Sequence, residues 1–123
     1  MGAYDVLNLR SHVDPDSRRV LFRASDLVLA NSSHEPFGLV GLEAMAVGAI
    51  ACTGCTGEDY AVPGHNAVVL QTSHPGEFMS QFSGVWRDSQ AAARMRRAGK
   101  STARHYAWDA VIDHHLQPWL EAA

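Results

Sequence analysis

A chain of 123 residues favours a single domain around one core. Hydrophobic residues at 46% and charged residues at 19% give a globular rather than a disordered balance, and a net charge of −3 supplies no global reason to expect nucleic acid as a partner. No apolar run approaches the roughly 20 residues that span a bilayer, so no transmembrane segment is expected. No signal peptide is legible in MGAYDVLNLR, and two cysteines fit a reducing, cytoplasmic compartment.

In chain order, YDVLNL (Tyr4–Leu9) reads as a buried strand. Asp14 followed by Pro15 is a helix start, a capping side chain and then a proline whose missing N–H does no harm. That helix is expected to reach about Ser25 with Val20, Leu21 and Ala24 facing inward. LVLA (Leu27–Ala30) is a short strand, Gly38–Val47 a helix stopped by Gly48, and AIACT (Ala49–Thr53) the next strand. The loop GCTGEDYAVPGHNA leads to VVL (Val68–Leu70), and the rest reads as helices over Pro75–Trp86, Ser89–Tyr106 and Asp109 to about Leu120. Strands alternating with helices predict an α/β fold with a parallel sheet of about four strands flanked by helices, in one domain over residues 1–123.

The Gly38–Val47 helix carries an oddity. Gly41, Ala44 and Gly48 fall on one narrow face suited to close packing against a neighbouring backbone, and Leu42, Met45 and Ala46 are expected to fill the core. Glu43 stands between Leu39 and Val47 with no polar neighbour on its own helix, and Glu35 lies eight residues earlier. One reading is a glutamate at the rim of a half-exposed helix. The other comes from the turn EPFGL. Phe37, Gly38, Leu39 and Val40 would present unpaired backbone N–H groups beyond the carboxyl end of a parallel strand, a setting that suits a phosphate. Two carboxylates opening onto one cleft around a diphosphate can accept hydrogen bonds from sugar hydroxyls on one side and ribose hydroxyls on the other, which describes a nucleotide sugar.

The stretch EPFGLVGLEAMAVG resembles the E-x7-E signature of the large retaining glycosyltransferase family that includes sucrose-phosphate synthases and many bacterial mannosyl- and glucosyltransferases. LFRASDLVLANSSHEPFG, GHNAVVL and ARHYAWDAVIDHHL resemble further family segments in the same order, so the likeness covers nearly the whole chain. It implies the GT-B fold of two Rossmann-like domains, of which this chain matches the later part of the C-terminal, donor-binding one. It also implies hexosyl transfer from a nucleotide diphosphate sugar with retention, using no cofactor and no metal. By the resemblance, Glu35 contacts donor-sugar hydroxyls (an older description makes it catalytic), backbone groups of Phe37, Gly38 and Leu39 hold the sugar and diphosphate, and Glu43 binds the ribose.

The departures are informative. LANSSHE has Asn31 in the neighbourhood where the family usually carries proline, and GCTGEDYAVPG replaces a glycine-glycine-x-proline-glutamate loop whose acid would be Glu58 or Asp59. The family's N-terminal acceptor domain has no counterpart here, nor has the arginine and lysine pair that neutralises the diphosphate. The expectation is therefore a donor domain inactive alone, completed by an N-terminal acceptor domain or a separate chain. The alternative is a stand-alone, non-catalytic binding or interaction module of the same fold. A homodimer through the Tyr4–Leu9 edge is expected from an unpaired strand.

Other patterns read as structural. Cys52 and Cys55 have C-x-x-C spacing but sit before a loop former, which favours strand-end packing over redox or metal chemistry. The adjacent His114 and His115 make no ligand pattern. Six basic residues from Arg87 to Arg104 read as a solvated helix face in preference to one meeting a missing domain or anionic lipid, and Trp108, Val111, Ile112, Leu116 and Trp119 as core or a docking stripe.

Overall fold

The computed structural model describes residues 5–123. Helix α1 (Pro15–Ala24) opens as its sequence dictates, with the Asp14 carboxylate accepting from the backbone N–H groups of Asp16 and Ser17. Strand β1 (Val28–Ala30), helix α2 (Leu39–Ala46), β2 (Ala51–Thr53) and β3 (Ala67–Val69) follow. Then come α3 (Pro75–Arg87), α4 (Ser89–Arg104), α5 (Trp108–Val111), a π-helical turn at Ile112–Leu116, and α6 (Gln117–Ala122). The strands form one parallel sheet of three in the order β1-β2-β3, with Leu29 opposite Cys52 and Cys52 opposite Val68.

The fold class is as expected; the strand count is three rather than about four. The missing strand is the one assigned to Tyr4–Leu9. Tyr4 lies outside the described residues, and residues 5–9 pair with nothing, with Val6 and Leu7 about four-fifths exposed at 80% and 78%. Alternation in a short apolar run cannot distinguish a strand from an extended segment without a neighbour to pair with. The described part of that segment therefore offers no strand edge for a dimer.

The sheet buries both faces, which is why β2 and β3 are buried throughout. Ala51, Ala67 and Val69 pack with Leu42 and Met45 of α2 on one side; Cys52 and Val68 pack with Met95 of α4 on the other. The phase of α1 differs from the sequence expectation. Val20 and Leu21 are exposed at 67% and 45%, whereas Phe22 packs against the core. The face of α1 turned toward α2 carries Arg18 and Phe22, one turn apart, so the residues between them face outward.

Helix α2 is buried along Gly41, Leu42, Ala44 and Met45, while Ala46, expected inside, is exposed. It ends as predicted. Gly48 has φ +80°, the N–H of Gly48 donates to Met45 O at 3.0 Å, and that of Ala49 to Ala44 O at 2.9 Å, the paired bonds of a Schellman cap. Arg96, one of the basic residues read as solvated, instead donates to Gly48 O at 2.9 Å and so ties α4 to the end of α2. At the C-terminus, Trp108, Ile112, Leu116 and Trp119 are exposed rather than core, lining a hollow of about 360 Å³ along the helix.

Candidate functional site

The chain leaves β1, crosses residues 31–38 and enters α2, so the N-terminus of α2 stands beyond the carboxyl end of a parallel strand, where such sheets bind ligands. Gly38 is the N-cap, and no side chain caps the helix. The N–H groups of Leu39, Val40 and Gly41 have no acceptor a turn earlier in the helix, and they carry the positive end of its dipole. Leu39, Val40 and Phe37 are exposed at 60%, 45% and 45%, so this end of the helix is open.

The N–H of Gly38 was expected to be free, and it is not. It donates to Gly57 O at 2.9 Å. The tight approach that Gly38 permits is made by Glu58: a Cβ on Gly38 would stand 2.5 Å from Glu58 Oε1 and 2.8 Å from its Cγ. The small face of α2 also meets side chains rather than backbone, with Gly41 lying on Tyr60 and Thr53. The Tyr60 hydroxyl donates to Gly38 O. Its ring packs edge-on against Phe37 and Tyr106 at centroid distances of 6.0 and 5.9 Å. Burial, and next the nearby Glu58 charge, push the Tyr60 phenol up to about 12, so it stays a donor.

The loop bearing Glu58 and Tyr60 is locked by Asn66, which is 2% exposed. Asn66 Oδ1 accepts from Val62 N at 2.7 Å, and its Nδ2 donates to Tyr60 O at 2.8 Å and to Thr102 Oγ1 of α4 at 2.9 Å. This fixes which acid of the loop faces inward: Glu58 is buried and Asp59 exposed. Burial, and then the charge of Glu35, hold the Glu58 carboxyl above its ordinary range.

Phe37, Gly38 and Leu39 are thus brought together at the mouth of α2, with Glu35 against the Gly57–Glu58 turn on one side. Glu43 lies further along the helix and faces α1. Its Oε1 is 3.6 Å from Arg18 Nη2, in a groove of about 230 Å³ lined by Pro15, Arg18, Phe22 and Val47. Both side chains are about two-fifths exposed (42% and 39%), so the pair is worth roughly 0.2–1 kcal/mol. A separate crevice of about 270 Å³ opens at the carboxyl ends of all three strands, lined by hydroxyl and amide side chains including Asn31, Ser32, Thr56, Gln71 and Thr72. The two cysteines part company: Cys52 is buried, its thiol pushed to about 11 by burial and then by Glu77, and Cys55 is exposed. Sequence reasoning did not find Arg18, Tyr60 or Tyr106. Only the place of Tyr60, two residues after Glu58 in the same loop, could have hinted at one of them.

Comparison with known proteins follows this geometry. The sequence profile of the family described as "Glycosyl transferases group 1" matches residues 5–102. A D-inositol 3-phosphate glycosyltransferase of Paenarthrobacter aurescens strain TC1 is 28% identical over 123 residues, 98% of this chain and 30% of its own length. The enzyme of the same name from Salinispora tropica is 32% identical over 109 residues, 87% of this chain and 23% of its own. The chain therefore spans less than a third of these relatives. Among solved structures, the C-terminal domain of a group 1 glycosyl transferase from Francisella tularensis superposes with TM-score 0.70 at 21% identity, over 78% of this chain and 50% of that one. Sucrose-phosphate synthase from Thermosynechococcus elongatus gives TM-score 0.72 at 21% identity, over 84% and 27%. Anabaena HepE, solved with UDP-glucose, gives 0.68 at 25% identity, over 84% and 29%. The fold is that of a GT-B C-terminal domain.

Proposed function

The chain belongs to the glycosyl transferases group 1 family, and from that premise we propose that the mouth of α2 with Glu35 and Glu43 is the donor site for a nucleotide diphosphate sugar, serving a retaining hexosyl transfer. The observation that carries the reading is the open, uncapped N-terminus of α2 beyond β1, with carboxylates before and after it. The free N–H groups of Leu39, Val40 and Gly41 and the helix dipole would hold the diphosphate. Developing charge on a leaving diphosphate is stabilised by such fixed donors without reorganisation. Glu35 would accept from hydroxyls of the donor sugar. Glu43 would accept from the ribose, exchanging its weak pair with Arg18 for hydroxyl hydrogen bonds and leaving that guanidinium beside the nucleotide. That HepE was solved with UDP-glucose supports a uridine nucleotide as the first donor to try.

The chain spans 30% of one relative and 23% of another. Acceptor recognition and transfer are assigned to a further domain or chain, and the 123 residues by themselves are expected to bind donor without turnover. Calorimetric titration with UDP-, GDP- and ADP-glucose tests the site, and release of nucleoside diphosphate with and without sugar acceptors tests turnover. Binding of one donor with no acceptor-dependent release is the expected result. Failure to bind any of the three overturns the donor-site reading, and acceptor-dependent turnover by this chain overturns the inactivity.

A further inference from the structure

Among the described residues, Glu58 is the one charged side chain that is buried, at 7% exposed. Its Oε1 rests over Gly38, the N-cap of α2, and its Oε2 is sequestered with no hydrogen-bond partner. The titratable groups beside it are Glu35 from the loop before α2 and Tyr60 from its own loop, and Tyr106 from beyond α4 packs on Tyr60 in turn. The Tyr60 proton is already committed to Gly38 O. No cation compensates: the ion pairs among the described residues are Arg18 with Glu43 and Arg19 with Asp16. The positive charge left to an ionised Glu58 is the partial charge at the open end of α2.

An anionic ligand seated there takes that partial charge for itself and brings further negative charge beside Glu35 and Glu58. A buried carboxylate with no counter-ion responds by accepting a proton. The neutral carboxyl then gains an O–H donor, which its unpartnered oxygen lacks when ionised. Resting on the donor-site reading above, we propose that Glu58 is a proton-coupled binding residue: when a nucleotide diphosphate sugar occupies the mouth of α2, Glu58 takes up one proton from solvent and donates it as a hydrogen bond toward the diphosphate. The balance is simple: one solvent proton ends on a Glu58 oxygen, and no other bond forms or breaks. The direction in which burial and the Glu35 charge move the Glu58 carboxyl agrees with this.

UDP-glucose is the suitable probe, because its diphosphate has no proton that titrates near neutrality. For the parent chain, affinity falls as pH rises, by up to about tenfold per pH unit across the window between the free and bound titrations of Glu58. Glu58→Gln, a neutral amide that keeps an N–H donor, retains the low-pH affinity and gives a flatter profile; His34 and the other histidines are common to both proteins and cancel. Parallel pH profiles for parent and variant overturn the proposal. A second measurement needs no variant. Calorimetry of the parent in two buffers of different ionisation enthalpy reads the protons taken up per UDP-glucose. Net uptake supports the coupling, and binding with zero uptake at every pH overturns it even if Glu58→Gln fails to fold. Absence of UDP-glucose binding by the folded parent at every pH overturns the donor-site reading, and the coupling with it; binding without proton linkage overturns the coupling alone.

Discussion

Gly38→Ala isolates the contact that shapes the mouth of α2. Gly38 has φ −82° and ψ 95°, a region open to alanine, so the backbone raises no objection. Two smaller effects roughly cancel. Alanine is a poorer N-cap than glycine by up to about 1 kcal/mol, while losing glycine's freedom in the unfolded chain returns about 0.4–1 kcal/mol. What remains is steric: the new Cβ would lie 2.5, 2.8 and 3.0 Å from Oε1, Cγ and Cδ of Glu58. Asn66 pins the Glu58 loop to α4, so Glu58 has little room to retreat. Overpacking of this kind costs typically about 1–3 kcal/mol. Urea denaturation of the parent, Gly38→Ala, Glu58→Ala and the double variant forms a cycle in which the capping and entropy effects cancel. The double variant should be more stable than the sum of the singles predicts by about 1–3 kcal/mol. Additivity within about 0.5 kcal/mol would show that Glu58 does not lie against Gly38, and the account of the site's inner wall would fall.

Glu43→Ala should weaken UDP-glucose binding by roughly 1.5–3 kcal/mol in a calorimetric titration, because ribose hydroxyls lose a charged acceptor; it should change folding stability by no more than about 1 kcal/mol, since its pair with Arg18 is about two-fifths exposed. Asn66→Ala strands the buried Tyr60 O, while Val62 N is open to water and Thr102 Oγ1 keeps its bond to Ala98 O, and should lower unfolding stability by about 1–3 kcal/mol in urea, the cost of one buried unpaired group; an unchanged midpoint would contradict the locked loop. Hydrogen bonds from Gln71 N and from Thr72 hold Glu77 below its ordinary carboxylate value of 4.5. A carboxyl depressed in the folded state stabilises above that value and loses its contribution as pH falls through the folded one. Glu77→Gln should therefore narrow the stability difference between neutral and acid solution, as followed by thermal melts. An identical acid dependence in both proteins would count against the Glu77 bonds.

Much of the local structure was legible in the residues because its causes are local. Asp14-Pro15 starts α1 with a side-chain cap and Gly48 stops α2 through a left-handed backbone, each decided within a few residues of chain. The turn EPFGL likewise marked the passage from β1 into α2, with the helix starting just after Gly38. Tertiary structure decided whatever depends on a partner distant in sequence. Residues 5–9 are apolar enough for a strand and make none, since a strand exists only with a neighbour to share its hydrogen bonds. Val20 and Leu21 face outward because α1 turns Arg18 and Phe22 toward α2. Which of Glu58 and Asp59 faces inward could not be read from a loop of uncertain register. It was settled by Asn66 bonding to Tyr60 and across to Thr102, which turns Glu58 inward onto Gly38 and leaves Asp59 in solvent. Sequence patterns carry propensity and spacing, whereas the burial of a charge is set by which distant side chains close around it.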